Sequence, residues 1–559
     1  ERKGGRSGRR DDRRGDDDRR EGKGRRRRQT DEDVLDMMRE HRPGKRKSDK
    51  AFDKKSDKKS DKKFEKKGSD RKRSDKSEKK SKGLCGKERT FKKNDIEDRK
   101  GKEMEVRQNP LGSAPLGKLL VKFAVPSIIS MLVSALYNIV DQIFIGQGVG
   151  MYGNAATNVA FPLTTLATAV GLMLGIGGAS NFNLEMGRKH EENAKKIAGT
   201  AFGSLVIAGV IICIVARIFL RPLITVFGAT EYVMDYAMTY VGITSLGMPF
   251  FVLTTGGTHL IRADGKPTYS MLSALAGAVI NTILDPLFIF VFKWGIAGAA
   301  WATIIGQFFS AMLVLGYLPK FHTVKLSLQD FMPKPRFLKM VMALGAAACF
   351  NQLAIFVTQI VMNNVLRYYG ALSIYGSDIP LAVVGVGSKV NMVFLSIVIG
   401  ISQGAQPIIG FNYGAAQYSR VKKTYRLAAT VATIIAVIAF AGFQIFPRQI
   451  TALFGSGDEL YEQFAVSYFR IFMFCTFLNG IQPLTANFFT SIGKAPMGIF
   501  ISMTRQIIFL IPLVLLLPLA FGIEGVMFAG PISDGVAGVL AIILVLRQFK
   551  KMPAEGQAN

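Results

Sequence analysis

One carboxylate stands in the middle of an apolar stretch of membrane type. Asp285 lies within residues 278–292, where Asn281 precedes it by four residues and Pro286 follows it directly. Residues four apart share one face of a helix, and a proline removes a backbone donor and favours a kink. An ionisable group at that depth costs about 2.5–3.5 kcal/mol on insertion scales. Asp285 therefore indicates a functional site, with a structural ion pair as the alternative.

A second carboxylate, Asp141, lies near the end of the first apolar segment. Tyr137 precedes it by four residues, and Thr303 and Gln307 have the same spacing in the sixth apolar segment. Each pair therefore shares one face of its helix. The first half of the chain thus offers polar side chains from several apolar segments.

The oxygens of these side chains allow two kinds of cation chemistry. The two carboxylates, the amides of Asn138 and Asn281, and the hydroxyls of Tyr137 and Thr303 suit a hard cation such as Na⁺. A carboxylate pair removed from water would instead hold a proton, because burial and like charge both oppose double ionisation. The sequence leaves both possibilities open.

The second half of the chain has fewer charged candidates. Its seventh apolar segment carries Gln352 but no acid. Lys389, in the eighth, is a fixed countercharge, a substrate-side group, or a side chain whose ammonium reaches the membrane interface. Asp534, in the last segment, is expected to pack against a neighbour's backbone, with a role in transport as the alternative. The residues predicted to line a substrate cavity are Asn138, Gln307, Gln352 and Lys389.

The elements that must position these side chains can be inferred from composition. The 559 residues carry a formal charge of +30, and the first 110 contain 43 Lys and Arg against 26 Asp and Glu. Those residues are too poor in apolar side chains to form a core, so a disordered cytoplasmic extension is expected. Such a tail could bind nucleic acid or anionic lipid, but acids interrupt it and only three aromatic residues, Phe52, Phe64 and Phe91, are available for base stacking.

Twelve apolar segments follow, each near the roughly 20 residues that a membrane-spanning helix needs. We therefore predict an all-α integral membrane protein with twelve transmembrane helices, rich in the Gly, Ala and Ser that allow close packing in lipid. The predicted helices are 118–146, 155–183, 197–220, 235–260, 268–293, 296–318, 336–368, 380–410, 424–446, 460–490, 496–520 and 523–547.

An internal repeat divides these helices into two halves. Gly187 recurs as Gly414 after 227 residues, and Gly265-Lys266 recurs as Gly493-Lys494 after 228. We therefore predict two six-helix lobes related by a pseudo-two-fold axis along the membrane normal, with a cavity between them. The predicted domains are the extension at 1–110, the first lobe at 111–320, a cytoplasmic linker at 321–335, the second lobe at 336–552 and a tail at 553–559.

Basic residues predict the orientation of the helices. One set of alternate loops, with the C-terminal end, carries nineteen Lys and Arg, against five in the opposite loops. Both termini are therefore expected in the cytoplasm and the protein in the cell (inner or plasma) membrane. The phosphate-binding pattern Gly-x-x-x-x-Gly-Lys-Ser/Thr does not occur, so an ATP-driven pump is not expected unless a partner supplies the motor. The four cysteines have no metal-binding spacing.

Several short motifs together resemble the multidrug and toxic compound extrusion (MATE) family of transporters. The resemblance spans about residues 115–550, and the combination of motifs is more specific than any one of them. The motifs are Tyr137-Asn-Ile-Val-Asp141-Gln, Arg262-Ala-Asp-Gly265-Lys-Pro267, Asn281-Thr-Ile-Leu-Asp285-Pro286, Gly295-Ile-Ala-Gly298 and Gln403-Gly404-Ala-Gln-Pro407.

The resemblance implies an antiporter rather than an enzyme, exporting organic cations, drugs or metabolites in exchange for H⁺ or Na⁺ by alternating access. It places the family's cation site on Asp141, Asn281, Asp285 and Thr303, with Tyr137 alongside, and Na⁺ would bind at Asp141 and Asp285. The seventh helix has no acid, so coupling is expected to depend on the first lobe. No cofactor is expected beyond the coupling ion. The expected partners are a small-molecule substrate and membrane lipid, with no nucleic acid required, and the expected functional unit is a monomer.

Two other hypotheses remain open. A related flippase would move a lipid-linked precursor or polysaccharide, and it would be expected to line its cavity with several basic residues. Alternatively, the helices would anchor a tail that binds nucleic acid or a protein partner. Deletion of residues 1–110 separates the second alternative from transport, because a transporter should work without them.

Overall fold

The computed structural model describes residues 109–454 and 458–553. The predictions made for residues 1–108 and 554–559 lie outside these ranges. Within them, twelve helices are long and apolar enough to cross a membrane, and no strand occurs in the described ranges. The prediction of an all-α membrane protein with twelve spanning helices is therefore confirmed.

The first six spans form the first lobe and the last six form the second. In the first lobe they are α1 (Leu116–Gly148), α2 (Met151–Gly187), α3 (Glu191–Ile218), α4 (Glu231–Ala263), α5 (Pro267–Val291) and α6 (Gly295–Lys320). In the second they are α7 (Pro335–Ala371), α8 (Asp378–Gly414), α9 (Tyr418–Ile445), α10 (Glu459–Ser491), α11 (Ala495–Phe521) and α12 (Ile523–Lys551). We call the side on which α1 begins the basic side, because most loop Lys and Arg lie there, and the opposite side the far side.

Several spans change helical geometry along their length. In α4 a tight turn at Ser245–Gly247 separates two α-helical parts. In α5 the α-helix ends at Pro286 and continues as wider turns at Leu287–Val291, and α11 contains similar turns at Thr504–Leu510. Such widened turns often occur at functional sites. In α5 they begin two residues after Asp285.

Helix starts recur between the lobes with the spacing of the sequence repeat. In five of the six helix pairs the start in the second lobe follows that in the first by 227 or 228 residues, for example in the pairs Met151 and Asp378, Glu191 and Tyr418, Pro267 and Ala495, and Gly295 and Ile523. The turn glycines recur as well, because Gly265 and Gly493 have φ of 87° and 82°, a region that favours glycine. The third and ninth helices begin six residues earlier than predicted, at Glu191 and Tyr418.

Each lobe has its own apolar core, and α1 contributes to both. The first-lobe core includes Ile145 near the end of α1, together with Phe202 of α3. One core of the second lobe includes Leu119 and Phe123 from the beginning of α1, packed with residues of α8, α9 and α10. The first span therefore connects the two lobes, and Pro126 lies inside it between these two contact regions.

The linker between the lobes is fixed to the first lobe by two aspartates. Asp264, after α4, accepts hydrogen bonds from the Tyr317 hydroxyl at 2.6 Å, from the backbone N–H groups of His322 and Thr323, and from the Thr323 hydroxyl. Its burial raises the pKa of this carboxyl above the ordinary value. The buried carboxyl thus fixes the start of the linker.

The second aspartate fixes the end of the linker. Asp330 accepts hydrogen bonds from the Ser327 backbone and hydroxyl and pairs with Lys195 of α3 at 3.3 Å. Burial alone would raise its pKa, but these hydrogen bonds and the lysine lower it below the ordinary value. A β-carbon added at Gly199 of α3 would lie 2.4 Å from the Asp330 carbonyl oxygen. The glycine therefore allows the linker to lie directly on α3.

Candidate functional site

The crossing of α5 and α6 brings two of the predicted site residues together. A β-carbon on Gly277 of α5 would lie 2.7 Å from the carbonyl oxygen of Gly306 in α6, and one on Gly306 would lie 2.6 Å from that of Gly277. The two helices can approach this closely only because both positions are glycine. One turn farther along, the Asn281 amide donates to the Thr303 hydroxyl oxygen at 3.4 Å.

Asp285 lies one helical turn beyond Asn281 and is completely buried, with 0% of its surface exposed. The Asn281 amide donates to its Oδ1 atom at 3.2 Å, so this amide contacts both Asp285 and Thr303. Pro286 follows Asp285, and a helix that contains proline lacks one backbone hydrogen bond there. The carboxyl group therefore lies at an irregular point of the helix, as its position before proline predicts.

Asp141 of α1 lies beside Asp285, and Tyr137 lies near both acids. Asp141 is 8% exposed. The structure thus brings all five residues of the predicted coupling set into one region of the first lobe, contributed by α1, α5 and α6.

Several oxygens in this region lack hydrogen-bond donors. Within the described part of the chain, Asp141 Oδ1, Asn281 Oδ1 and Asp285 Oδ2 are buried without a partner. Buried acceptors of this kind are costly unless a donor or a cation satisfies them. A proton on one carboxyl would provide a donor, and a hard cation would bind several oxygens directly. The donor set fits either ion and contains no nitrogen or sulfur ligand.

A sixth residue, Tyr240 of α4, was missed by the sequence reasoning. It is 8% exposed, and its side chain lies near Thr303, Tyr137, Asp141 and Asp285. Nothing in the local sequence marks it, because a tyrosine in a spanning helix has no special spacing to these acids. Its place near the acids becomes visible only from the packing of α4 against α6.

The four predicted cavity residues do not lie together. Gln307 lies inside the first lobe, where a β-carbon on Gly247 of α4 would be 2.6 Å from its Oε1 atom, which is buried without a partner. Asn138, Gln352 and Lys389 are instead exposed or half-exposed on α1, α7 and α8. Gln307 is therefore a neighbour of the carboxylate region, and the other three residues are candidates for the space between the lobes.

On the basic side the lobes are in backbone contact. A β-carbon on Gly404 of α8 would lie 2.6 Å from the Cα of Ala124 in α1, and one on Gly400 would lie 2.6 Å from that of Ile128. Nearer the ends of α2 and α8, a β-carbon on Gly187 would lie 2.1 Å from the carbonyl oxygen of Phe411. These glycines close the space between the lobes on the basic side.

Two buried polar contacts cross the same closed region. Arg262 of α4, only 3% exposed, donates to Gln403 of α8 at 2.9 Å. The Gln406 amide donates to the Ser180 hydroxyl oxygen of α2 at 2.7 Å. Arg262 is one of the nineteen Lys and Arg that the sequence assigned to the loops and the C-terminal end, and the structure corrects this: it lies in the last turn of α4 and joins the two lobes.

The buried charges of the second lobe form a pair. Arg505 of α11 donates to Oδ1 of Asp534 in α12, and the Asn479 amide of α10 donates to Oδ2 at 2.8 Å. The expectation that Asp534 packs against a neighbour's backbone was therefore wrong, because its partners are side chains. Both oxygens of this acid are satisfied, in contrast to those of the first-lobe acids.

Comparisons with known proteins agree with this architecture. The family model described as MatE matches residues 126–287 and 347–516, one segment in each lobe and more than half of the chain together. The chain is 25% identical over 429 residues to the multidrug export protein MepA of Staphylococcus haemolyticus, covering 77% of this chain and 93% of that protein. It is 24% identical to MepA of Staphylococcus aureus strain MRSA252, covering 77% and 94%.

A solved structure shares the fold. An outward-facing conformation of a multidrug resistance MATE family transporter of the MOP superfamily superposes with a TM-score of 0.73 at 23% identity, covering 80% of this chain and 97% of that one. The family match, which includes the carboxylate region of the first lobe, establishes the class of protein. This chain belongs to the MatE family and is a multi-pass membrane transporter, not an enzyme.

Proposed function

We propose that the protein is a secondary active antiporter that exports small organic molecules, such as organic cations, drugs or metabolites, in exchange for H⁺ or Na⁺. The printed function of the MepA relatives, multidrug export, supports this class of substrate. The proposed coupling site consists of Asp141, Asn281, Asp285 and Thr303, with Tyr137 beside them. We further propose that the protein functions as a monomer in the cell membrane.

The observation that carries the proposal is the group of unpaired oxygens on Asp141, Asn281 and Asp285. In the second lobe, Asp534 has donors for both oxygens. A transported cation needs a site whose occupancy can change, and a permanently satisfied ion pair does not offer one. The contrast therefore favours the first lobe as the place where H⁺ or Na⁺ binds.

The coupling mechanism follows from the position of α1. Asp141 lies in the half of α1 that packs in the first lobe, whereas Leu119 and Phe123 pack in the second. A cation bound at Asp141 and Asp285 would favour one path of α1 past Pro126 and thus one arrangement of the lobes. It drives the cycle only through its different affinities for the two arrangements.

The orientation is part of the same proposal. The basic side has eighteen Lys and Arg when the buried Arg262 is left out, against five in the opposite loops, and it is taken to face the cytoplasm. The lobes are closed there by the contacts of Gly187, Gly400 and Gly404. The described arrangement is then the outward-open one, and rocking of the two lobes would expose the cavity to the cytoplasm.

The experiment is gradient-driven uptake into everted vesicles that contain the full-length protein. Fluorescent organic cations, zwitterions and anions are tested with either a pH or a Na⁺ gradient. We expect accumulation with one gradient and its loss in Asp285→Asn, because the variant cannot carry the coupling charge. The matched control is Asp235→Asn, an exposed acid at the start of α4, which should accumulate substrate at the wild-type rate.

The outcomes separate the hypotheses. Coupled accumulation that persists in Asp285→Asn would refute the coupling site while leaving antiport intact. No accumulation of any dye with either gradient would refute antiport. A lipid-precursor flippase is expected to line its cavity with several basic residues. Among the described residues on the faces between the lobes, two exposed cations make no ion pair, Lys389 of α8 and Arg367 near the far-side end of α7.

A further inference from the structure

Lys389 lies on the face of α8 that points towards the first lobe. The stripe with helical spacing that contains it runs through Ala382, Gly385, Lys389 and Met392, and continues through Gly400, Gln403 and Gly404. On the basic side this stripe touches α1 and Arg262. On the far side the same stripe is exposed. Lys389 therefore faces the space between the lobes, where the lobes separate.

Its depth excludes a position in the water outside the membrane. Lys389 is eleven residues from the far-side start of α8 at Asp378, which is about 16 Å along the helix axis. That depth lies within a hydrocarbon layer about 30 Å thick. A lysine facing lipid there would be costly, but the inter-lobe face is a cleft open to the far side. The cleft, and not lipid, is thus the environment of this ammonium.

The opposite wall of the cleft presents an amide. The pairing of Gly400 with Ile128 and of Gly404 with Ala124 defines the antiparallel register of α1 and α8. Eleven residues farther along, this register places Lys389 beside the turn that contains Asn138. Asn138 is exposed on the side of α1 opposite the exposed apolar stripe of Val125, Ile129 and Leu136, so it faces the cleft as well.

The third wall, α7, continues the polar surface. Its face towards the first lobe includes Gly345, which touches α2, and Phe356, whose ring lies 6.1 Å from that of Phe161. Gln359 and Asn363 follow on this face, are exposed, and are hydrogen-bonded to each other at 2.9 Å. Gln359 lies twelve residues before the end of α7, so it is near the depth of Lys389.

No acid neutralises Lys389. Within the described residues it makes no ion pair, whereas Arg505 is paired with Asp534. Asp141 and Asp285 are buried inside the first lobe. The exposed surface at this depth thus combines one unpaired ammonium, several amides and an aromatic pair. A molecule that matches it carries an anionic group next to an aromatic or apolar body.

We infer that Lys389 is a specificity residue that binds a carboxylate of the transported molecule, so that the cleft prefers amphiphilic zwitterions and organic anions over simple organic cations. The inference rests on the proposed export function for its biological meaning. The Coulomb attraction of Lys389 favours the carboxylate, the amides of Gln359 and Asn138 provide further donors, and the Phe161–Phe356 pair contacts the apolar body.

The test compares two forms of one dye that differ only in charge. A rhodamine with a free carboxyl group is zwitterionic, and its methyl ester is cationic. Binding of each form to the purified full-length protein is measured by fluorescence anisotropy. In Lys389→Gln we expect the dissociation constant of the acid form to rise about three- to tenfold relative to that of the ester. This is the range for loss of one partly solvated charged contact.

Controls make the result specific to this lysine. Lys293→Gln removes an exposed far-side lysine from the loop between α5 and α6, and its ratio should equal that of the wild type. Lys389→Arg keeps the charge and should retain most of the preference for the acid form. Lys389→Met, which keeps much of the stem volume, should lose the preference as Lys389→Gln does, and it replaces that variant if Lys389→Gln folds poorly.

The binding results test the role of Lys389 whether or not the protein is an antiporter. An unchanged ratio in Lys389→Gln, or equal weakening of both forms, would overturn it, because a structural or coupling lysine has no reason to distinguish the acid from its ester. Binding does not require a gradient. The inference can therefore fail while gradient-driven export is confirmed, and it can hold while the assignment of the coupling ion fails.

Discussion

A single methyl group at Gly404 should open the cleft on the basic side. In Gly404→Ala the new β-carbon would lie 2.6 Å from the backbone N and Cα of Ala124. An ordinary contact needs at least 3.4 Å, so α1 and α8 must separate by about 0.8 Å at this crossing. Both partners are backbone atoms of long helices, so local side-chain movement cannot relieve the short contact. It can be relieved if the lobes separate on this side.

The structure also allows an estimate of the magnitude. Overpacking of a closely packed contact costs about 1–3 kcal/mol, and this cost applies only to the arrangement in which α1 and α8 touch. The equilibrium should therefore shift towards the arrangement open on the basic side by about 5- to 150-fold. Gly385→Ala is the matched control, because it lies on the same stripe of α8 and its β-carbon meets no atom within 4 Å.

The assay is cysteine alkylation from the basic side. Ser180 of α2, which is buried in the closed region on the basic side and accepts a hydrogen bond from Gln406, is replaced by cysteine in a chain whose native cysteines have been removed. A membrane-impermeant maleimide should react with this cysteine about 5- to 150-fold faster in the Gly404→Ala background. In the Gly385→Ala background it should react at the same rate as in the protein that carries neither alanine. Equal rates in all three proteins, at equal thermal stability, would refute the assignment of this crossing as the closure.

Two further predictions concern single polar groups. Tyr240→Phe removes the hydroxyl beside Thr303 and should lower gradient-driven uptake about three- to tenfold while leaving dye binding unchanged; weakened binding would instead assign Tyr240 to the substrate cleft. Asp330→Asn should lower the melting temperature at neutral pH, because the lowered pKa of Asp330 means that its ionised form stabilises the fold above the unfolded pKa of about 3.9. This advantage is lost as the pH falls through the folded pKa, so wild type and variant should converge below about pH 4; a difference that persists there would rule out the charge as its cause.

The residues that proved predictable are those whose partners lie on the same helix or in the repeat. The spacing of Asn281 and Asp285 is local, and a regular helix converts it directly into a hydrogen bond. The helix starts of the two lobes repeat because the turn glycines repeat, as at Gly265 and Gly493. The length and apolarity of each segment then suffice to predict twelve spans.

The residues that were not predictable depend on which helices become neighbours. Tyr240 comes near the carboxylates only because α4 packs against α6. Arg262 looked like a loop cation because it is close to the polar turn at Gly265, yet it lies buried between the lobes. The side of α8 on which Lys389 lies became clear only from the contacts of Gly400 and Gly404, since the helix has polar residues on more than one side.

The anchored linker makes the two opening motions unequal. Phe331 is fixed on α3, because a β-carbon on Gly203 would lie 1.8 Å from its carbonyl oxygen, and α7 begins at Pro335. Only Met332, Pro333 and Lys334 lie between, and four residue steps extend to at most about 14 Å. The start of α7 therefore stays close to α3, because the segment that joins them is short. Separation of the lobes on the far side does not stretch this segment. Separation on the basic side does stretch it, so the segment limits how wide the opening on the basic side can become.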